Sequence, residues 1–114
     1  AGRFFKLQIM SGGAFDYNQH KIRDIHEHIQ QELDKQGKEK SKEDLRYYDK
    51  EYLEKYPEER FEHVYREDVQ QIFKEGIEIL KKAEIYTQRI DRYLSGDDGE
   101  DSLVSRLKSD LDAL

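Results

Sequence analysis

The sequence predicts an all-α fold: a long central helix over about residues 58–94, two shorter helices packed along it and a short C-terminal helix. Three observations predict it. Charged residues make up 40% of the 114-residue chain and hydrophobic ones 35%, against typical shares of about 25% and 45–50%, so a thick apolar core is out of reach. Apolar residues recur at steps of 3 and 4, the spacing that lines one face of an α-helix. One such row, from Tyr65 to Tyr93, persists over four heptads. Aromatics at 11%, eight of them Tyr, argue against wholesale disorder.

Residues 1–9 differ in character from the rest of the chain. Ala1-Gly2-Arg3-Phe4-Phe5-Lys6-Leu7-Gln8-Ile9 is apolar and basic, whereas residues 10–114 are polar and acidic. This stretch reads as an appended remnant, with Met10 opening a single helical domain over 10–114. Setting Arg3 and Lys6 aside leaves 18 basic against 26 acidic residues, a balance of about −8. That charge disfavours direct nucleic-acid binding and adsorption to a membrane surface.

The first helix is expected from Asp16 or Asn18 to Gln36. Either residue can accept from the free N–H groups of the first turn. Ile22, Ile25, Ile29 and Leu33 then share a face, and Gly37 supplies the left-handed residue that ends the helix. Ser41-Lys42-Glu43-Asp44 resembles a capping box opening the second helix, which carries Leu45, Tyr48 and Tyr52 on one side. Pro57 ends it near Lys55 or Tyr56 and suits the first turn of the next.

The third helix is the dominant feature. Tyr65, Val69, Ile72, Gly76, Ile79, Ala83, Tyr86, Ile90 and Tyr93 alternate by 4 and 3, a coiled-coil seam. Phe73, Ile77 and Leu80 widen it in the middle. The candidate interaction residues are therefore Tyr65, Val69, Ile72, Phe73, Gly76, Ile79, Leu80 and Tyr86. Gly76 costs about 1 kcal/mol of helix propensity, which a close approach of a second helix or a slight bend there would explain. Ser95-Gly96 stops the helix, and a last one places Leu103, Leu107, Leu111 and Leu114 on one face.

Catalytic and metal chemistry finds little footing. With no cysteine, disulfides, thiolate zinc sites and cysteine nucleophiles are excluded. His20, Asp24, His28 and Glu32 succeed one another at i, i+4 steps, a spacing that can hold a divalent metal, but the row is read as a solvated helix face. No Glu lies three residues before a His, so the di-iron bundle pattern fails. There is no G-x-S-x-G elbow, P-loop or G-x-G-x-x-G, and no cofactor or enzyme activity is expected. No apolar run reaches the length of a membrane helix.

Met10-Ser11-Gly12-Gly13-Ala14-Phe15-Asp16-Tyr17, leading into an Ile-rich helix, resembles the opening of small uncharacterised proteins of phages and prophages over residues 10–33. The resemblance implies an intracellular, phage-related accessory protein and carries no site residues. The expected function is a non-enzymatic protein–protein interaction or assembly module of the cytoplasm, homodimeric through the long seam. The alternative is an acidic inhibitor or DNA mimic that occupies a basic groove on a nucleic-acid-handling protein. Outward rows of carboxylates would favour the mimic, and an exposed apolar patch would favour assembly.

Overall fold

The structure, a computed structural model, describes residues 13–114, so the reading of residues 1–9 and the start of the Met10-Ser11-Gly12 motif lie outside the described residues. The chain is all-α. The described residues form five α-helices, in order α1 (Gln19–Asp34), α2 (Lys42–Leu45), α3 (Lys50–Lys55), α4 (Glu67–Leu94) and α5 (Glu100–Asp112). A 3-10 turn at Pro57–Arg60 separates α3 from α4. Among the described residues no helix is long and apolar enough to cross a membrane.

The long helix α4 organises the rest. Its 28 residues span about 42 Å. Both α1 and α5 pack along it, and both run antiparallel to it. For α1, Gln19 meets Gln88 and Asp91, His26 meets Glu84, and Glu32 meets Tyr65. For α5, Glu100 meets Tyr93 and Asp110 meets Arg89. Punctuation residues act as their chemistry dictates. Gly37 and Gly96 take positive φ after α1 and α4. The Ser41 hydroxyl accepts from the Asp44 N–H at 3.2 Å, and Pro57 opens its turn after α3 has ended.

Three sequence expectations are corrected. The long helix starts at Glu67, not near residue 58. Residues 60–62 instead pair with the segment after α1: Lys40 N–H donates to Arg60, Glu62 N–H to Lys38, and Gly37 N–H to Glu62. A helix through Phe61 would break these backbone bonds, and Phe61, His63, Val64 and Tyr65 are weak helix formers. The expected second helix is split into α2 and α3, because Asp49 adopts an extended conformation and starts α3 as its cap residue. The second of these short helices packs against the Pro57–Arg60 turn rather than along α4.

The third correction concerns the faces of α1 and α4. Of the α1 row, Ile22, Ile29 and Leu33 are half-buried as expected, but Ile25 is exposed and Gln19 and His26 take the fully buried places on that face. On α4 the heptad seam does not face α1. Ile72 and Ile79, expected to be buried in that seam, are 65% and 67% exposed, while Ile77 between them is 3% exposed. Among the described residues only Ala14, Leu53 and Ile77 are buried apolar side chains. A core this thin cannot hold the helices by hydrophobic burial alone.

Candidate interaction surface

The inner face of α4 is held mainly by polar contacts. Glu84 is its centre. Arg23 Nε donates to Glu84 Oε2 at 2.6 Å, and His26 Nε2 lies 2.7 Å from Oε1. Burial pushes the Glu84 carboxyl up, but these hydrogen bonds outweigh it and hold the group below the usual carboxylate range. Two turns further along, Asp91 is buried and clasps the segment leading into α1. It accepts from the Phe15 N–H at 3.0 Å and from Gln19 Nε2 at 3.3 Å. Gly13 sits against the same carboxylate, where a Cβ would come within 2.9 Å of Oδ1. At positive φ and this close to the carboxylate, any side chain at residue 13 would strain the backbone and push Asp91 out of its clasp.

Ion pairs also secure α5. Arg89 Nε donates to Asp110 at 2.6 Å, and Arg106 donates to the buried Asp98 at 2.6 Å. Asp98 lies 3.7 Å from Arg89 as well, so one carboxylate links the turn after α4 to both helices. Each of these pairs is half-buried or better on at least one side, which distinguishes them from weak surface pairs.

The outer face is apolar and open. Ile72 and Ile79 are joined by Tyr86 at 44% and Ile90 at 38% exposed, with Gly76 and Ala83 between them. Toward the C-terminal end the row continues into a groove of about 420 Å³ between α4 and α5. Tyr86, Ile90, Leu103, Val104, Leu107 and Leu111 line it, and Val104 is largely exposed. Nothing lies within 4 Å of where a Cβ on Gly76 would stand, so the middle of the face is a shallow gap.

The eight candidate interaction residues therefore divide. Ile72, Ile79 and Tyr86 lie on the open face, with Val69 and Gly76 half-buried in the same row. Phe73 and Leu80 are half-buried beside Ile77 on the side turned to α1. Tyr65 is committed internally: its hydroxyl donates to Glu32, its backbone N–H to Gln36, and its ring packs 4.9 Å from Phe73. The sequence reading missed the Arg23–His26–Glu84 and Gln19–Asp91 contacts. A carboxylate at an i+7 interval on the buried side, Glu84 after Ile77 and Asp91 after Glu84, is the pattern that carries them.

The other candidates are not gathered into a site. His20 stacks on Tyr17, and His28 is exposed 3.7 Å from Glu32, which in turn pairs with Lys35. Among the described residues no three His, Cys, Asp or Glu side chains come together as metal ligands would. Tyr48 stacks on Tyr52, which meets Tyr56 at a tilt of 48°, and Lys40 donates to the Tyr48 hydroxyl, whereas Tyr47 is 90% exposed. Comparison with family models, curated proteins and solved structures finds no match to the chain.

Proposed function

We propose that the chain is a non-enzymatic protein–protein interaction or assembly module that works through the outer face of α4. A phage- or prophage-related accessory role in the cytoplasm follows from the resemblance of its opening residues. The observation that carries the interaction reading is the exposure of Ile72 and Ile79, two branched aliphatic side chains on one helix face. Tyr86, Ile90 and Val104 extend this row toward α5, and exposed apolar side chains grouped in this way mark an interface. Covering an isoleucine fully is worth about 1.5–3 kcal/mol, so each invites a partner. The acidic-mimic alternative calls for carboxylates turned outward in rows. Glu84, Asp91, Asp98 and Asp110 are spent on contacts within the chain, whereas most other carboxylates are exposed, so the preference for assembly rests on the open apolar row.

The partner is a protein, and a homodimer at micromolar concentration is the expected form. Sedimentation at several concentrations tests this on the wild type and on Ile72→Asp and Ile79→Asp. The wild type is expected to self-associate, and both variants to remain helical and monomeric. A monodisperse 13.7 kDa wild type at high concentration would overturn self-assembly.

A further inference from the structure

We propose that the outer face of α4 is covered by α4 of a second copy, antiparallel and in a single register. The proposal rests on the reading of this face as an interaction surface and adds the occupant and its alignment. Size complementarity is the first support. Along the row, small residues (Val69, Gly76, Ala83) alternate with large ones (Ile72, Ile79, Tyr86). In a heptad row these are the two alternating seam positions. A parallel pair sets like against like, Gly76 on the partner's Gly76 and Ile79 on the partner's Ile79, leaving voids beside crowded layers. Reversing one helix sets each small residue against a large one. Val69 then faces the partner's Tyr86, Ala83 the partner's Ile72, and Gly76 the partner's Ile79. Close packing favours this arrangement, and the open space at Gly76 receives the isoleucine.

Charge complementarity selects the register. Asp68, Glu75, Lys82 and Arg89 recur every seven residues along one flank of the row, two acids and then two bases. The antiparallel alignment above brings Glu75 against the partner's Lys82, and by two-fold symmetry the pair occurs twice. Sliding one helix by a heptad brings Lys82 onto the partner's Lys82, or Glu75 onto the partner's Glu75. The first slip also sets Glu75 against the partner's Arg89 and the second sets Lys82 against the partner's Asp68, so each slip keeps some attraction but adds one repulsive central pair that the proposed register lacks. In the proposed register Asp68 also meets the partner's Arg89, but Arg89 is already engaged by Asp98 and Asp110, so the outer charges add less than the central pair. Glu75 and Lys82 are both exposed on this flank, Glu75 accepting from Gln71 of its own helix at 3.3 Å. At each end of the shared face the partner's Val69 arrives at Tyr86, beside the α4–α5 groove.

Charge-swap variants test the register. Glu75→Lys and Lys82→Glu are each measured by sedimentation equilibrium, alone, mixed in equal amounts and combined in one chain. Each alone is expected to weaken the dimer about tenfold, since two attractive pairs become repulsive. The equal mixture and the double swap are both expected to return to near wild-type affinity, because each restores lysine opposite glutamate. A wild-type dimer that ignores the single changes, or a mixture no tighter than the single variants, overturns the register. If Ile79→Asp still dissociates that dimer, the surface is right and only the alignment is wrong. A wild type monomeric at every concentration overturns the second copy as occupant.

Discussion

The two faces of α4 reverse the usual division of labour. The face turned to α1 carries the buried Ile77 with half-buried Phe73 and Leu80, and then Glu84, Gln88 and Asp91, each engaged by a polar side chain of the α1 region. The face turned to solvent carries Ile72, Ile79 and Ile90. In a chain with 40% charged residues, polar contacts with defined partners do much of the work of aligning the helices. The apolar row is left over for something else. Polar contacts fix one register of α1 on α4, because a shift of one turn would strand Glu84 and Asp91 without donors.

The largest contrast between the faces is expected from neighbouring isoleucines. Ile77→Asp loses a buried side chain and strands a carboxylate in the thin core, at a cost of about 4 kcal/mol. That approaches the whole stability of a small domain, so loss of cooperative thermal unfolding is expected. Ile79→Asp, two residues away, should change the melting temperature little at concentrations where the chain is monomeric, within about 0.5 kcal/mol. Its effect falls on association, at least a hundredfold in Kd, since each copy would place an unpaired carboxylate in the interface. Equal destabilisation by both changes, read by circular dichroism and sedimentation, would contradict the division into an inner and an outer face.

A third measurement acts on the inner face alone. The hydrogen bonds from His26 and Arg23 hold the Glu84 carboxyl below the usual range despite its burial. A group whose folded-state value is depressed contributes stability above its unfolded value, about 4.3 for Glu, and loses it as pH falls through the folded value. Glu84→Gln should therefore cost about 1–2 kcal/mol at neutral pH, with the gap to wild type closing below about pH 4. Thermal melts of both proteins from pH 7 to pH 3 check this. A gap constant across that range would remove Glu84 as the centre of the inner face.

Much of the architecture was legible in the sequence, and the failures have identifiable causes. Gly37, Ser41, Pro57 and Gly96 mark element ends because their backbone chemistry is local and overrides little else. The start of α4 was not legible, because the bonds that hold residues 60–62 extended come from residues 37–40, far along the chain. The seam itself was visible as a row. Its direction was not, since periodicity identifies which residues share a face but not what that face meets. The assumption that the apolar face turns inward failed where Glu84 and Asp91 found partners in Arg23, His26, Gln19 and the Phe15 N–H. Ile25 and His26 swapped places on α1 for the same reason.

The smallest expected effect is at Gly76, and it separates the two faces by sign. Its backbone is helical and nothing within 4 Å opposes an added Cβ, so no contact within the chain needs a glycine there. Gly76→Ala should stabilise the monomer by about 0.5–1 kcal/mol through reduced backbone freedom in the unfolded chain. That corresponds to a rise of about 3 °C in melting temperature at low concentration. Gly76→Leu gains helix propensity in the same way but fills the gap that receives the partner's Ile79. Its monomer should be as stable as the wild type or more so, while its dimer is weakened more than its fold. Opposite movements of melting temperature and dimer affinity along the series Gly, Ala, Leu are what an outer face reserved for a second helix requires. A loss of monomer stability in both variants would instead mean that Gly76 serves a contact inside the chain.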